Sequence, residues 1–263
     1  MAKANRKNIK YPEIVKMFDS LSGSKGVWEV WNDVIKMMAV SIANTCDGNL
    51  ERKKQREKQY LDISNKYSSD EIQIAVKIVA AITNALEENP EQDLLGDLYM
   101  SLDFGSNALG QFFTPYCVCQ AMAALSVDKA LMKSEIAKNG YIRVNEPACG
   151  AGANIIAFIN KMKSQGLNYQ SDAFIVAQDL SQLTAMMCYV QMSLLGCAGI
   201  VVVGDTLKSP CAKTQTEIEI ADNIWLTPMY CNEIWCIRRN AKLFDEILVR
   251  GGKDNDTAKI EKV

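Results

Sequence analysis

No histidine occurs anywhere in the 263 residues. That absence removes Ser-His and Cys-His nucleophilic pairs and every imidazole acid–base step. It also takes away a favoured zinc ligand. The nine cysteines, at 46, 117, 119, 149, 188, 197, 211, 231 and 236, include no C-x-x-C pair, so no metal site is expected. An odd cysteine count in a chain with no recognisable export signal points to reduced, mostly buried thiols. Neither sign of charge dominates: 29 Lys and Arg face 31 Asp and Glu, a net charge of −2. Any contact with nucleic acid therefore needs a local basic surface rather than a global field. No apolar run approaches the roughly 18 residues that span a bilayer, so no membrane partner is expected. The opening Met-Ala-Lys-Ala-Asn-Arg-Lys is basic but has no apolar stretch of the signal-peptide kind, and the cytoplasm is the expected compartment.

What is present is an ordinary globular composition, 48% apolar and 23% charged, enough for a sizeable core. Up to about residue 105 the texture is helical. Trp28, Trp31, Val34, Ile35, Met38 and Ile42 fall at spacings of three and four within 26–45, one helical face. The mixed run Glu51 to Lys58 reads as a solvated helix face. Ser69-Asp70-Glu71 offers an N-cap followed by Ile72, Ile74, Ala75, Ile78, Val79 and Ile82, with Pro90 beyond the end. A further helix is expected over 94–102.

From residue 106 short β-like runs alternate with helical ones. Strands are expected at 141–146, 173–178 and 199–203, with a fourth at about 221–226, and helices at 153–162 and 182–195. This alternation with short connections predicts a parallel sheet with right-handed crossovers, which binds ligands outside the carboxyl ends of its strands. The first strand runs into Glu146-Pro147-Ala148-Cys149-Gly150-Ala151-Gly152, a turn of small residues that opens a helix. The second ends in Asp179, whose carboxylate can accept from both hydroxyls of a ribose. The third ends in Gly204-Asp205-Thr206, where an acid can accept from an adenine amino group. Each acid alone is the usual helix-cap or turn residue; in succession they suit an adenosine-containing cofactor. A dinucleotide fingerprint needs a third glycine, and Ala153-Asn154-Ile155 follows Gly152 instead. Glu146 would repel a pyrophosphate but suits the ammonium group of S-adenosylmethionine.

Gly110-Gln111-Phe112-Phe113-Thr114-Pro115, followed by a helix and then by Asn145-Glu146-Pro147-Ala148-Cys149-Gly150-Ala151-Gly152, resembles the M subunits of type I restriction-modification systems and their adenine-N6 methylase relatives. The resemblance covers roughly residues 92 to 230. It implies a Rossmann-like, doubly wound α/β methyltransferase sheet of early strand order 3-2-1-4, preceded by an α-helical region at 1–105. The sheet domain, 106–263, is expected to be abbreviated after its fourth strand. It further implies that Phe113, Thr114 and Pro115 line the methionine end of the cofactor. Glu146, Pro147, Cys149, Gly150 and Gly152 would form the main cofactor loop, with Asp179 on the ribose and Asp205 on the adenine amino group.

The family's catalytic Asn-Pro-Pro-aromatic signature follows the fourth strand and orients a flipped adenine toward the methyl group. Here Thr227-Pro228-Met229-Tyr230 stands in its place, 23 residues after Gly204. Thr227, Pro228 and Tyr230 are the expected catalytic positions, with a hydroxyl where the family has an amide. The 33 residues after Tyr230 leave room for about one more helix, at 232–249, and a charged tail, so the fourth strand is expected to be an open edge covered by a second chain or copy. No target-recognition domain fits in that length. Arg238 and Arg239 are candidate phosphate contacts. The expected function is adenine-N6 methylation of DNA with help from another subunit, a homo-oligomer or a specificity-type partner. Two alternatives stay open: a degenerate cofactor-binding interaction module, and a methyltransferase of protein or RNA.

Overall fold

The structure, a computed structural model, describes residues 10–23, 25–102, 113–211, 218, 221–241 and 243. Five helices come first: α1 (Pro12–Ser22), α2 (Val27–Cys46), α3 (Leu50–Ser64), α4 (Ser69–Glu88) and α5 (Leu94–Ser101). The predicted stripe of α2 is the buried one, with Trp31, Val34, Ile35 and Met38 inside and Trp28 at its rim. The cap of α4 lies one residue earlier than expected. Ser68 accepts from the Glu71 amide, and the Glu71 carboxylate accepts from the Ser68 amide in return, which satisfies two donors of the first turn.

The remaining described elements are α6 (Tyr116–Ser126), α7 (Lys129–Asn139), β1 (Ile142–Glu146), α8 (Ala153–Ser164), α9 (Tyr169–Asp172), β2 (Ala173–Asp179), α10 (Gln182–Leu194), β3 (Gly199–Val203) and β4 (Ile224–Leu226). A 3-10 turn, Met229–Cys231, and a helix over 233–241 follow. The first three strands are parallel, as expected. The order of the sheet is not: it runs β1-β2-β3-β4, and β4 lies antiparallel on β3 instead of beside β1. Because β1, β2 and β3 step in one direction, right-handed crossovers place α8 and α10 on the same face. The double winding expected from the 3-2-1-4 order is absent from the described strands. Among the described residues, the side of β1 away from β2, where β4 was expected, faces a cleft of about 1020 Å³ bounded by Asp128, Met132, Arg143 and Phe158.

The alternation of β4 explains where it sits. Ile224 and Leu226 face a small cluster with Ile200, Val202, Tyr230 and Trp235, while Trp225 turns to the main core and meets Tyr189 at 5.4 Å. Helix α3 then secures the strand. Arg52 and Arg56, i and i+4 within the supposed solvated charge run, are 3% and 4% exposed. Both donate to the Asp47 carboxylate; Arg52 also donates to the Ala221 carbonyl and Arg56 to the Ile224 carbonyl. The Leu226 carbonyl accepts from the Tyr189 hydroxyl and, at 3.6 Å, from the Cys46 thiol. The edge expected to be open is thus capped, at the Ile224 and Leu226 carbonyls, by side chains of the chain itself.

One continuous core joins the two regions, from Ile14 of α1 through Leu98 of α5 to Met187 of α10 and Trp225 of β4. The boundary expected at 105/106 lies outside the described residues. No helix among the described residues is long and apolar enough to cross a membrane.

Candidate cofactor site

β1, β2 and β3 end side by side, and their register makes the acids climb like steps. Glu146 pairs with Ala177, two residues short of Asp179, and Asp179 pairs with Val203, two residues short of Asp205. Adjacent strands are about 4.8 Å apart and two residues advance about 6–7 Å. Three carboxylates therefore cross the carboxyl end of the sheet diagonally.

The glycine turn packs against this row. Gly150 has φ 51° and Gly152 φ 104°, both in the left-handed region. A Cβ on Gly150 would lie 3.3 Å from the Phe113 ring, and one on Gly152 3.2 Å from the Cys188 sulfur. Four of the turn's amides are held by the protein: Ala148 donates to Glu146, Cys149 to the Gln178 carbonyl, Gly150 to the Asp179 carboxylate and Gly152 to the Cys149 carbonyl. A pyrophosphate cradle works the other way, leaving such N–H groups for the ligand.

Asp179 accepts three donors, from Gly150 on one oxygen and from Ser181 N–H and the Thr184 hydroxyl on the other. A carboxylate offers about four lone-pair positions, so the Asp179 oxygen facing Gly150 retains one. Glu146 accepts from Asn154 Nδ2 at 3.2 Å, and the Asn154 Oδ1 is buried with no partner. Asp205 caps its own turn through the Leu207 and Lys208 amides, with the Lys208 ammonium 3.6 Å away. The Thr206 hydroxyl donates to the Pro147 carbonyl at 2.6 Å and ties the β3 exit to the glycine turn. Leu180 and Leu207, which flank these acids, are 73% and 96% exposed. Thr114 and Pro115 are also exposed, with Pro115 capping α6, while Gly110 to Phe112 lie outside the described residues.

Thr227, Pro228 and Tyr230 are somewhere else. Because β4 is antiparallel, its end lies beside Gly199 at the start of β3, roughly 13 Å along the sheet from Val203. Thr227 is completely buried; its hydroxyl accepts from the Gly199 amide and donates to the Cys197 carbonyl. Tyr230 is buried against Phe174 and beneath the Arg239 guanidinium. Nor are the two arginines free for phosphates. Arg238 donates to the Ser171 and Gly140 carbonyls and stacks on Trp235; Arg239 donates to the Tyr230 carbonyl.

Two buried glutamines organise the site without any sequence signal. Gln178 in β2, 2% exposed, donates to the Gly204 and Ser209 carbonyls and accepts from Cys211 N–H, which shapes the loop carrying Asp205. Gln191 in α10 reaches the glycine turn at the Ala151 carbonyl. Among the described residues no group of three or more His, Cys, Asp or Glu is placed to hold a metal ion.

The profile of the N-6 DNA Methylase family matches residues 90–259, which contain every element of this site. The chain belongs to the N-6 DNA methylase family. Within the match lie the three parallel strands, the glycine turn and the Thr-Pro-Met-Tyr segment, whereas most of the helical region precedes it. Curated protein sequences gave no match to the chain.

Proposed function

We propose that this N-6 DNA methylase family member binds S-adenosylmethionine at the ends of β1, β2 and β3 and acts in adenine-N6 methylation of DNA, with a second subunit completing the transfer site. One observation carries the cofactor reading: three stepped carboxylates border a glycine turn in which the Ala148, Cys149, Gly150 and Gly152 amides are already engaged by protein acceptors. Such a surface repels a pyrophosphate and attracts a cationic, hydroxyl-rich ligand. When bound, S-adenosylmethionine supplies a methyl group activated by its sulfonium charge.

The residues present fit that group. The Glu146 carboxylate and the partnerless Asn154 Oδ1 are adjacent acceptors suited to an ammonium group. Asp179 has acceptor capacity left for a ribose hydroxyl, and Asp205 has an oxygen not used by its turn amides. Leu180 and Leu207 offer apolar surface beside these acids for the faces of a purine. Phe113, Thr114 and Pro115 enter from the α6 side, where the methionine end would lie.

A second reading, a cofactor-binding module that performs no transfer alone, is favoured by the buried, hydrogen-bonded Thr227. Calorimetric titration with S-adenosylmethionine tests the shared step, with Asp179→Ala as the control expected to abolish binding. Failure of the folded wild-type chain to bind overturns both readings. Transfer of labelled methyl groups to adenine-containing duplexes, but not to protein or RNA, supports the first. Binding without transfer, even when candidate partner subunits are added, supports the second.

A further inference from the structure

Gln191 is completely buried in the last turn of α10, and its amide makes three hydrogen bonds, two to the start of α5 and one to the glycine turn. Its Nε2 donates to the Asp93 carboxylate at 2.8 Å and to the Ala151 carbonyl of the glycine turn at 2.8 Å. Its Oε1 accepts from the Leu95 amide at 3.1 Å. Asp93, 4% exposed, is the N-cap of α5 and also accepts from Gly96 N–H. Burial pushes its carboxyl above the ordinary range, against the hydrogen bonds from Gln191 and Gly96. Gly96 has no room for a side chain, since a Cβ there would lie 2.0 Å from the Asp93 carboxylate. The cap and the glutamine form one closed unit.

The other end of α5 reaches the same turn by packing. Tyr99, fully buried, meets the Phe113 ring edge-on at 5.0 Å, and that ring sits over Gly150. The helical region therefore grips Gly150 and Ala151 from two sides, polar through Gln191 and aromatic through Phe113. Backbone in the left-handed region is held only where its surroundings over-determine it.

We infer that Gln191 is a positioning residue, backed by Asp93, which sets the glycine turn in its ligand-receiving shape and makes cofactor affinity depend on the seating of α5. This rests on the reading of the strand ends as an S-adenosylmethionine site. Gln191→Met keeps the side chain's length but leaves the Ala151 carbonyl and the Leu95 amide without their partner. The loss of one such buried bond corresponds to about a tenfold rise in Kd.

The experiment measures hydrogen exchange across residues 148–153 in the ligand-free chain, together with Kd for S-adenosylmethionine. Gln191→Met should speed exchange of that turn selectively and raise Kd about tenfold. Asp93→Asn, which keeps the acceptor oxygen, should preserve both values. Asp93→Ala should mimic Gln191→Met. Ile224→Val, a core change in β4 within the separate cluster around Trp235, serves as the stability control and should lower the melting temperature while leaving the turn and Kd unchanged. The inference is overturned if the turn exchanges alike in wild type and Gln191→Met, or if Ile224→Val produces the same selective change. If the wild type does not bind S-adenosylmethionine, the cofactor reading fails, and the exchange data still decide whether Gln191 sets the turn.

Discussion

Thr227 is the residue on which sequence pattern and structure make opposite demands, and substitution separates them. Its hydroxyl lies at 0% exposure between the Gly199 amide, 3.0 Å away, and the Cys197 carbonyl, 2.7 Å away. Thr227→Val keeps the shape and removes both bonds. Each buried group left unsatisfied costs about 1–2 kcal/mol, so the change should destabilise by about 2–4 kcal/mol. In a chain of this size that lowers Tm by roughly 5–15 °C. Urea unfolding followed by circular dichroism is the assay, with an unchanged m value showing that stability alone has moved. Thr227→Asn restores the amide of the family's signature but overpacks a closed site, at a cost of about 1–3 kcal/mol. It should therefore destabilise without raising methyl transfer. A Thr227→Val chain as stable as wild type, or a Thr227→Asn chain with increased transfer, would refute the structural role.

Other outcomes follow from the same geometry. Asp47→Ala leaves Arg52 and Arg56 buried with no anion, which should cost about 3–5 kcal/mol in urea unfolding. Burial raises the Asp47 carboxyl, but the Arg52 hydrogen bond and the two guanidinium charges outweigh it and hold it below 3.8. Its contribution is thus present above pH 3.8 and lost as pH falls through the lower folded value, an acid limb that Asp47→Ala should lack. The neighbouring Cys46 thiol, helped by the Arg239 guanidinium against burial, brings the Cys231 thiol below its ordinary value. Cys231 should be alkylated by iodoacetamide ahead of the deeply buried Cys188 and Cys197 in peptide mapping. Gly150→Ala forces a side chain into the left-handed region and against Phe113, and about 1–2 kcal/mol of strain should appear as weaker cofactor binding or lower stability.

Local features were readable because they depend on local chemistry. The α2 stripe, the three parallel strands and the glycine turn all follow from periodicity and small residues within one short window. β3 falls on the expected 199–203, and α8 begins at the expected Ala153. The partner of β4 was not readable, since its three residues carry no signal of direction. What decides it is Trp225 facing one layer, Ile224 and Leu226 the other, and two arginines that look like surface charge in the sequence. Arg52 and Arg56 share their run with exposed Glu51 and Lys54, and nothing but the position of Asp47 distinguishes them. Gln178 and Gln191 were missed for a similar reason. A glutamine in a helix or strand carries no motif, and its importance comes from carbonyls brought to it by other elements.

The inward-pointing amides of the glycine turn have a thermodynamic consequence. A loop that waits for its ligand to satisfy its N–H groups must order itself on binding, and that loss of freedom is subtracted from affinity. Here the turn is closed by its own protein bonds before any ligand arrives. Association then costs little backbone entropy, and its heat-capacity change should track the apolar surface covered at Leu180, Leu207 and Phe113 rather than any folding of the loop.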